Sequence, residues 1–93
     1  MKKIENLSQF KKALQVGIKL QTTHHTFGNM GVREVSIVQS NSFALETIRE
    51  GKKVDSWCEY PKSKDLICNG SNEVTVFWGE GEKREAVLTY KFI

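Results

Sequence analysis

The chain has 93 residues, of which 39% are hydrophobic, including five Phe, two Trp and two Tyr. That composition argues for a folded protein rather than a disordered one and predicts one domain over residues 1–93 with one modest core; no apolar run nears the ~20 residues of a membrane span. A net charge of +3, with acidic residues mixed among the basic ones, does not by itself assign a nucleic-acid partner.

Met1-Lys2-Lys3-Ile4 is a basic start, but Glu5, Asn6 and Ser8 interrupt any apolar run after it. No signal-peptide core is expected, and the cytoplasm is the expected location. Ile4, Leu7, Phe10, Ala13 and Leu14 recur at helical spacing, which predicts a helix over about Leu7–Val16. Asn6 is placed to cap it, Gln9 stands at the capping-box position, and Gly17 suits its C-terminal stop. Lys11, Lys12 and Gln15 should face water.

After Gly17 the period becomes two. Ile18, Leu20 and Thr22 alternate with Lys19, Gln21 and Thr23, the pattern of a strand. Gly28-Asn29-Met30-Gly31 reads as a break. Val32–Gln39 is a second predicted strand with Val35 and Ile37 inward, and Phe43–Arg49 a third with Phe43, Leu45 and Thr47 on one face. Glu50-Gly51-Lys52 is a hairpin turn. Lys53–Tyr60 is a fourth strand, stopped by Pro61 because proline cannot donate to a ladder. Lys62–Leu66 suits a turn of helix, and Asn69-Gly70 a turn. Val74–Trp78 and Glu85–Phe92 complete the strands, separated by the turn Gly79-Glu80-Gly81.

The expected fold is therefore α+β: one N-terminal helix packed on a five- to six-stranded antiparallel sheet, flat or curled. Sequential pairing is its simplest topology. The C-terminal strands carry apolar groups on both faces, so one face needs cover from curling, a second subunit or a partner.

His24-His25 are adjacent, and adjacent strand residues point to opposite faces, so they do not share a metal ion. Cys58 and Cys68 lack the close spacing of a structural zinc site. They are too few for a disulfide framework and read as reduced. No motif couples Cys58 to a base, and Gly79-Glu80-Gly81-Glu82 is too acidic to cradle phosphate. No catalytic residue, metal or cofactor is expected.

The most informative segment is Ser56-Trp57-Cys58-Glu59-Tyr60-Pro61-Lys62-Ser63-Lys64. Aromatic groups beside cations suit a binding surface; they also suit plain core filling beside a solubilised edge strand. Read as a partner surface, the contacts are Trp57, Tyr60, Lys62 and Lys64. Alternation favours Tyr60 inward with Cys58 and Trp57 outward. Read as a single-stranded nucleic-acid surface, Arg49, Lys52 and Lys53 join them, although Asp55, Glu59 and Asp65 oppose phosphate. A third reading places a small ligand near His24, His25 and Trp78 in a sheet-end cleft.

The chain resembles small accessory proteins of bacteriophages and plasmids of Gram-positive bacteria. The likeness is one of style and spans most of the chain. It lies in the short amphipathic opening helix, the run Val32-Arg33-Glu34-Val35-Ser36-Ile37-Val38-Gln39-Ser40-Asn41, and the Ser56-Trp57 … Tyr60-Pro61-Lys62 segment. It implies a host- or defence-directed binding role, such as inhibition of a CRISPR effector, and no catalytic residue. The leading expectation is a non-enzymatic module acting through a protein partner or by homodimerisation. A single-strand binder and a ligand-sequestering protein are the alternatives.

Overall fold

A computed structural model describes residues 4–70 and 72–93; the basic start at Met1–Lys3 lies outside the described residues. Helix α1 spans Leu7–Ala13. The strands are β1 Lys19–His24, β2 Gly28–Val38, β3 Ser42–Arg49, β4 Lys52–Glu59, β5 Leu66–Cys68, β6 Glu73–Trp78 and β7 Glu85–Phe92. They form one antiparallel sheet in the order β4-β3-β2-β1-β7-β6-β5. The class is α+β as expected, but with seven strands among the described residues rather than five or six.

Two departures from the sequence-based expectation have simple causes. The helix begins as predicted: Asn6 Oδ1 accepts from the Gln9 N–H at 2.9 Å. Gln9 Oε1 accepts from the Glu5 N–H at 2.7 Å, one residue earlier than in a capping box. It ends at Ala13, not Val16, because Leu14 turns to extended backbone (ψ 110°) and buries itself in the core. Gly17, at φ 96°, serves the turn into β1 instead of the helix end. The second departure is Gly28–Gly31, which is the start of β2 and not a break. Gly28 (φ 85°) and Gly31 (φ 82°) allow a backbone that side-chain-bearing residues avoid, and the ladder slips by one residue there, between Thr22 and Thr23.

Pairing is sequential from β1 to β4 and from β5 to β7, but the two meanders join through β1 and β7, whose paired residues are more than 60 positions apart in the chain. Strand β2 pairs with β1 over its first part and with β3 over its last, with an irregularity between Val35 and Ile37. Another lies between Val76 and Phe77. Such bulges bend the strands that carry them.

The bending shows in the core. In a flat sheet, β3 and β7 would stand three strand spacings apart, roughly 14 Å. Yet the rings of Phe43 on β3 and Tyr90 on β7 are 5.9 Å apart. Phe10 of α1 fills the concavity between them, with ring centroids 6.0–6.5 Å from Phe43, Tyr60, Tyr90 and Phe92. Leu20, Val35, Leu45 and Val74 complete the buried floor. The sheet is therefore curled but not closed, with β4 and β5 as its two free edges. Among the described residues, no helix is long and apolar enough to cross a membrane.

Candidate functional site

The unclosed side of the curl leaves a cleft of about 530 Å³. One wall is the end of β4 and the residues after it, from Trp57 through Pro61; the other is Val76 and Trp78 of β6 with Leu88 and Tyr90 of β7. Strand β5 pairs only with Val74–Val76, so the end of β6 has no strand paired on that side among the described residues. The cleft sits where β4 and the unpaired end of β6 fail to meet.

Alternation along β4 turns Val54, Ser56 and Cys58 toward the concavity and leaves Asp55, Trp57 and Glu59 exposed. Trp57 is 52% exposed and Trp78 65%. Tyr60 is half-buried against the core, its ring 5.4 Å from Phe43, and Lys11 Nζ lies 4.7 Å from the centroid of the same ring. Trp57 and Tyr60 thus play different parts: one is a surface aromatic, the other joins core to rim.

Cys58 stands inside the cleft next to Tyr90. Burial pushes its thiol above the ordinary 9.0, against smaller opposing effects of the hydrogen bond with Tyr90 and the charge of Arg33. Burial likewise drives the Tyr90 hydroxyl well above the usual phenol range, aided by Cys58. A thiol held protonated is a poor nucleophile. Cys68, on the opposite edge strand, is also raised by burial and then by Glu5. Among the described residues, no three His, Cys, Asp or Glu side chains cluster as a metal site would require.

The cations do not converge on one point. Lys62 precedes the short helical turn Ser63–Asp65, and Lys64 Nζ lies 3.3 Å from Glu80 Oε1. Arg84 ties this rim together: it donates to the Lys64 carbonyl at 2.7 Å, approaches Asp65 at 3.7 Å and lies 4.5 Å above the Phe77 ring. Arg49, Lys52 and Lys53 occupy the β3–β4 hairpin end, where Lys53 pairs with Glu46 at 3.5 Å. From Lys52 to Trp57 is five strand residues, roughly 16 Å.

The histidines have different partners, and His25 lies in the turn after β1 rather than in the strand. His24 Nδ1 accepts from the Thr26 and Phe27 N–H groups of its own turn, and its ring lies against Phe27 at 4.6 Å. His25 Nε2 is 2.9 Å from Thr89 Oγ1. Neither lines the cleft that holds Trp78, so the structure does not gather His24, His25 and Trp78 into one site. Periodicity alone missed Val76, Leu88 and Tyr90 as cleft residues. Their signal was the doubled apolar pattern of the C-terminal strands.

No family model, curated protein or solved structure matches this chain.

Proposed function

We propose that the protein is a non-enzymatic binding module that captures a protein partner through the Trp57–Trp78 cleft. One observation carries this reading: two exposed tryptophans, distant in sequence, border a single cleft backed by apolar Val76 and Leu88. Tryptophan and tyrosine bury much area with few rotors and serve as interface anchors. Cleft walls this exposed suit a partner's side chain that brings its own cover better than a sequestered small ligand, whose pocket would bury most of it. Lys62 and the Lys64–Glu80 pair form the polar rim.

Glu59 in the wall and the distance to the hairpin cations weigh against a single-stranded nucleic acid, which needs a continuous cationic track. The likeness to phage and plasmid accessory chains makes a bacterial defence protein, such as a CRISPR effector, the first partner to test. The experiment is titration of purified effectors with the wild type and with Trp57→Ala and Trp78→Ala, read by tryptophan fluorescence and calorimetry. Capture by the wild type that weakens at least about tenfold in each variant supports the reading; loss of one hot-spot aromatic is worth that much. Unchanged affinity in both variants refutes the cleft. A complex with single-stranded DNA or RNA whose affinity falls steeply with salt would replace the protein partner by a nucleic acid.

A further inference from the structure

We infer that β4 is a self-pairing edge, through which two copies of the chain join their sheets about a two-fold axis at Ser56. The inference goes beyond the cleft: it rests on the backbone and charges of the strand. β4 has eight residues in unbroken register with β3 and, among the described residues, no strand on its other side. The other free edge, β5, has only three residues. Edges of native sheets are blunted by bulges, proline, short length or charged side chains; before Pro61, β4 has only the charges, Lys52, Lys53, Asp55 and Glu59.

Hydrogen-bond parity fixes which groups are free. Glu50 (φ 53°) and Gly51 (φ 77°) make a two-residue hairpin turn closed by the Arg49–Lys52 pair. The closing pair of such a turn exchanges backbone bonds. Alternation then commits Lys52, Val54, Ser56 and Cys58 to β3. The N–H and C=O groups of Lys53, Asp55, Trp57 and Glu59 point off the sheet. The side chains of these four residues are exposed, as is that of Lys52.

A two-fold axis perpendicular to the sheet pairs residues of the same face, so only certain registers are allowed. Centred on Asp55, the two Asp55 carboxylates would stand opposite each other. Centred on Trp57, Asp55 would face Glu59 twice. Centred on Ser56, Lys53 faces Glu59 of the second copy, twice, and Asp55 faces Trp57. Val54 then meets Cys58 on the concave side. Opposite charges directly across strands are favourable and like charges are not; a Val54 centre would also set Lys53 against Asp55 but would pair only Lys52–Ser56, so charge and length together select the Ser56 register. In it the two Trp57 rings are diagonal neighbours, roughly 7–8 Å apart at the backbone, within reach of each other. Glu46, 3.5 Å from Lys53 Nζ, holds that lysine on the face where Glu59 of the second copy arrives. The contact is small beside a standard interface of about 800 Å² per partner, so the dimer is concentration-dependent.

Sedimentation equilibrium of the full chain across the micromolar range tests this. The expected result is a mass rising with concentration from 10.6 kDa toward twice that value. Lys53→Glu alone and Glu59→Lys alone place like charges across the seam and keep the chain monomeric. The double charge reversal restores the dimer. An equimolar mixture of the two single variants also dimerises, because each then meets its opposite. Circular dichroism confirms that these exposed-site variants fold. A wild type that stays monomeric throughout, or single variants that dimerise as well as the wild type, overturns the inference. Trp57, Cys58 and Glu59 belong to both surfaces, so partner and second copy compete for the end of β4; Trp78→Ala separates them: it weakens partner capture and leaves the dimer mass unchanged.

Discussion

At the residue scale the fold turns on Phe10. It is the one fully buried residue of α1, and its ring meets aromatic groups of β3, β7 and the segment after β4. Removing a buried phenyl ring loses both its transfer free energy and its packing, about 3–5 kcal/mol. Stabilities of domains this size are about 5–15 kcal/mol in total. Phe10→Ala is therefore expected to lower the urea midpoint drastically or to unfold the chain. Cys58 and Tyr90 set the alkaline limit. Both bind their proton more tightly in the folded chain than unfolded. Their contribution is complete below the ordinary thiol value of 9.0 and is lost as pH rises above it toward the raised folded values. Thermal unfolding should be flat in this respect from neutrality to that point and decline beyond it. In Tyr90→Phe the decline above the ordinary phenol value of 10.0 should be shallower.

At the element scale the β3–β4 hairpin carries a local misfit. Glu50 is the only non-glycine among the described residues with positive φ, at 53°, where a side chain costs about 1 kcal/mol. Asparagine tolerates this conformation, and Asn-Gly is a favoured pair for such a turn. Glu50→Asn should raise stability by about 0.5–1 kcal/mol, read from the shift in melting temperature. The helix start was legible because capping is local: Asn6 and Gln9 act within four residues of each other. The helix end was not, because burial of Leu14 overrides helix propensity. Strand β5 escaped notice since three residues show no period. Gly28–Gly31 misled because glycine signals a turn and a bulged strand start alike.

At the scale of the whole molecule, curling brings β4 and β6 to face each other across an open cleft. Its tryptophan walls stand outside the core but are partly covered, so Trp57→Ala and Trp78→Ala should each lower unfolding free energy by only about 1–2 kcal/mol, as measured by chemical denaturation. A loss as large as that of Phe10→Ala would place them in the core and end their role as free contacts. Sequence alternation alone divided Trp57 from Tyr60, and it foresaw the exposed ring of the first and the half-buried ring of the second. It also located most strands and the hairpin turn, consequences of backbone geometry within a few residues. What it did not decide was which strands become neighbours. The β1–β7 pairing joins segments more than 60 residues apart, while the bulges that bend β2 and β6 lie in pairings with strands next to them in the chain. Only that long-range pairing makes Trp57 and Trp78 two sides of one cleft and leaves β4 as an unpaired edge. Local periodicity determines where each side chain points; the curl of the assembled sheet determines what it faces.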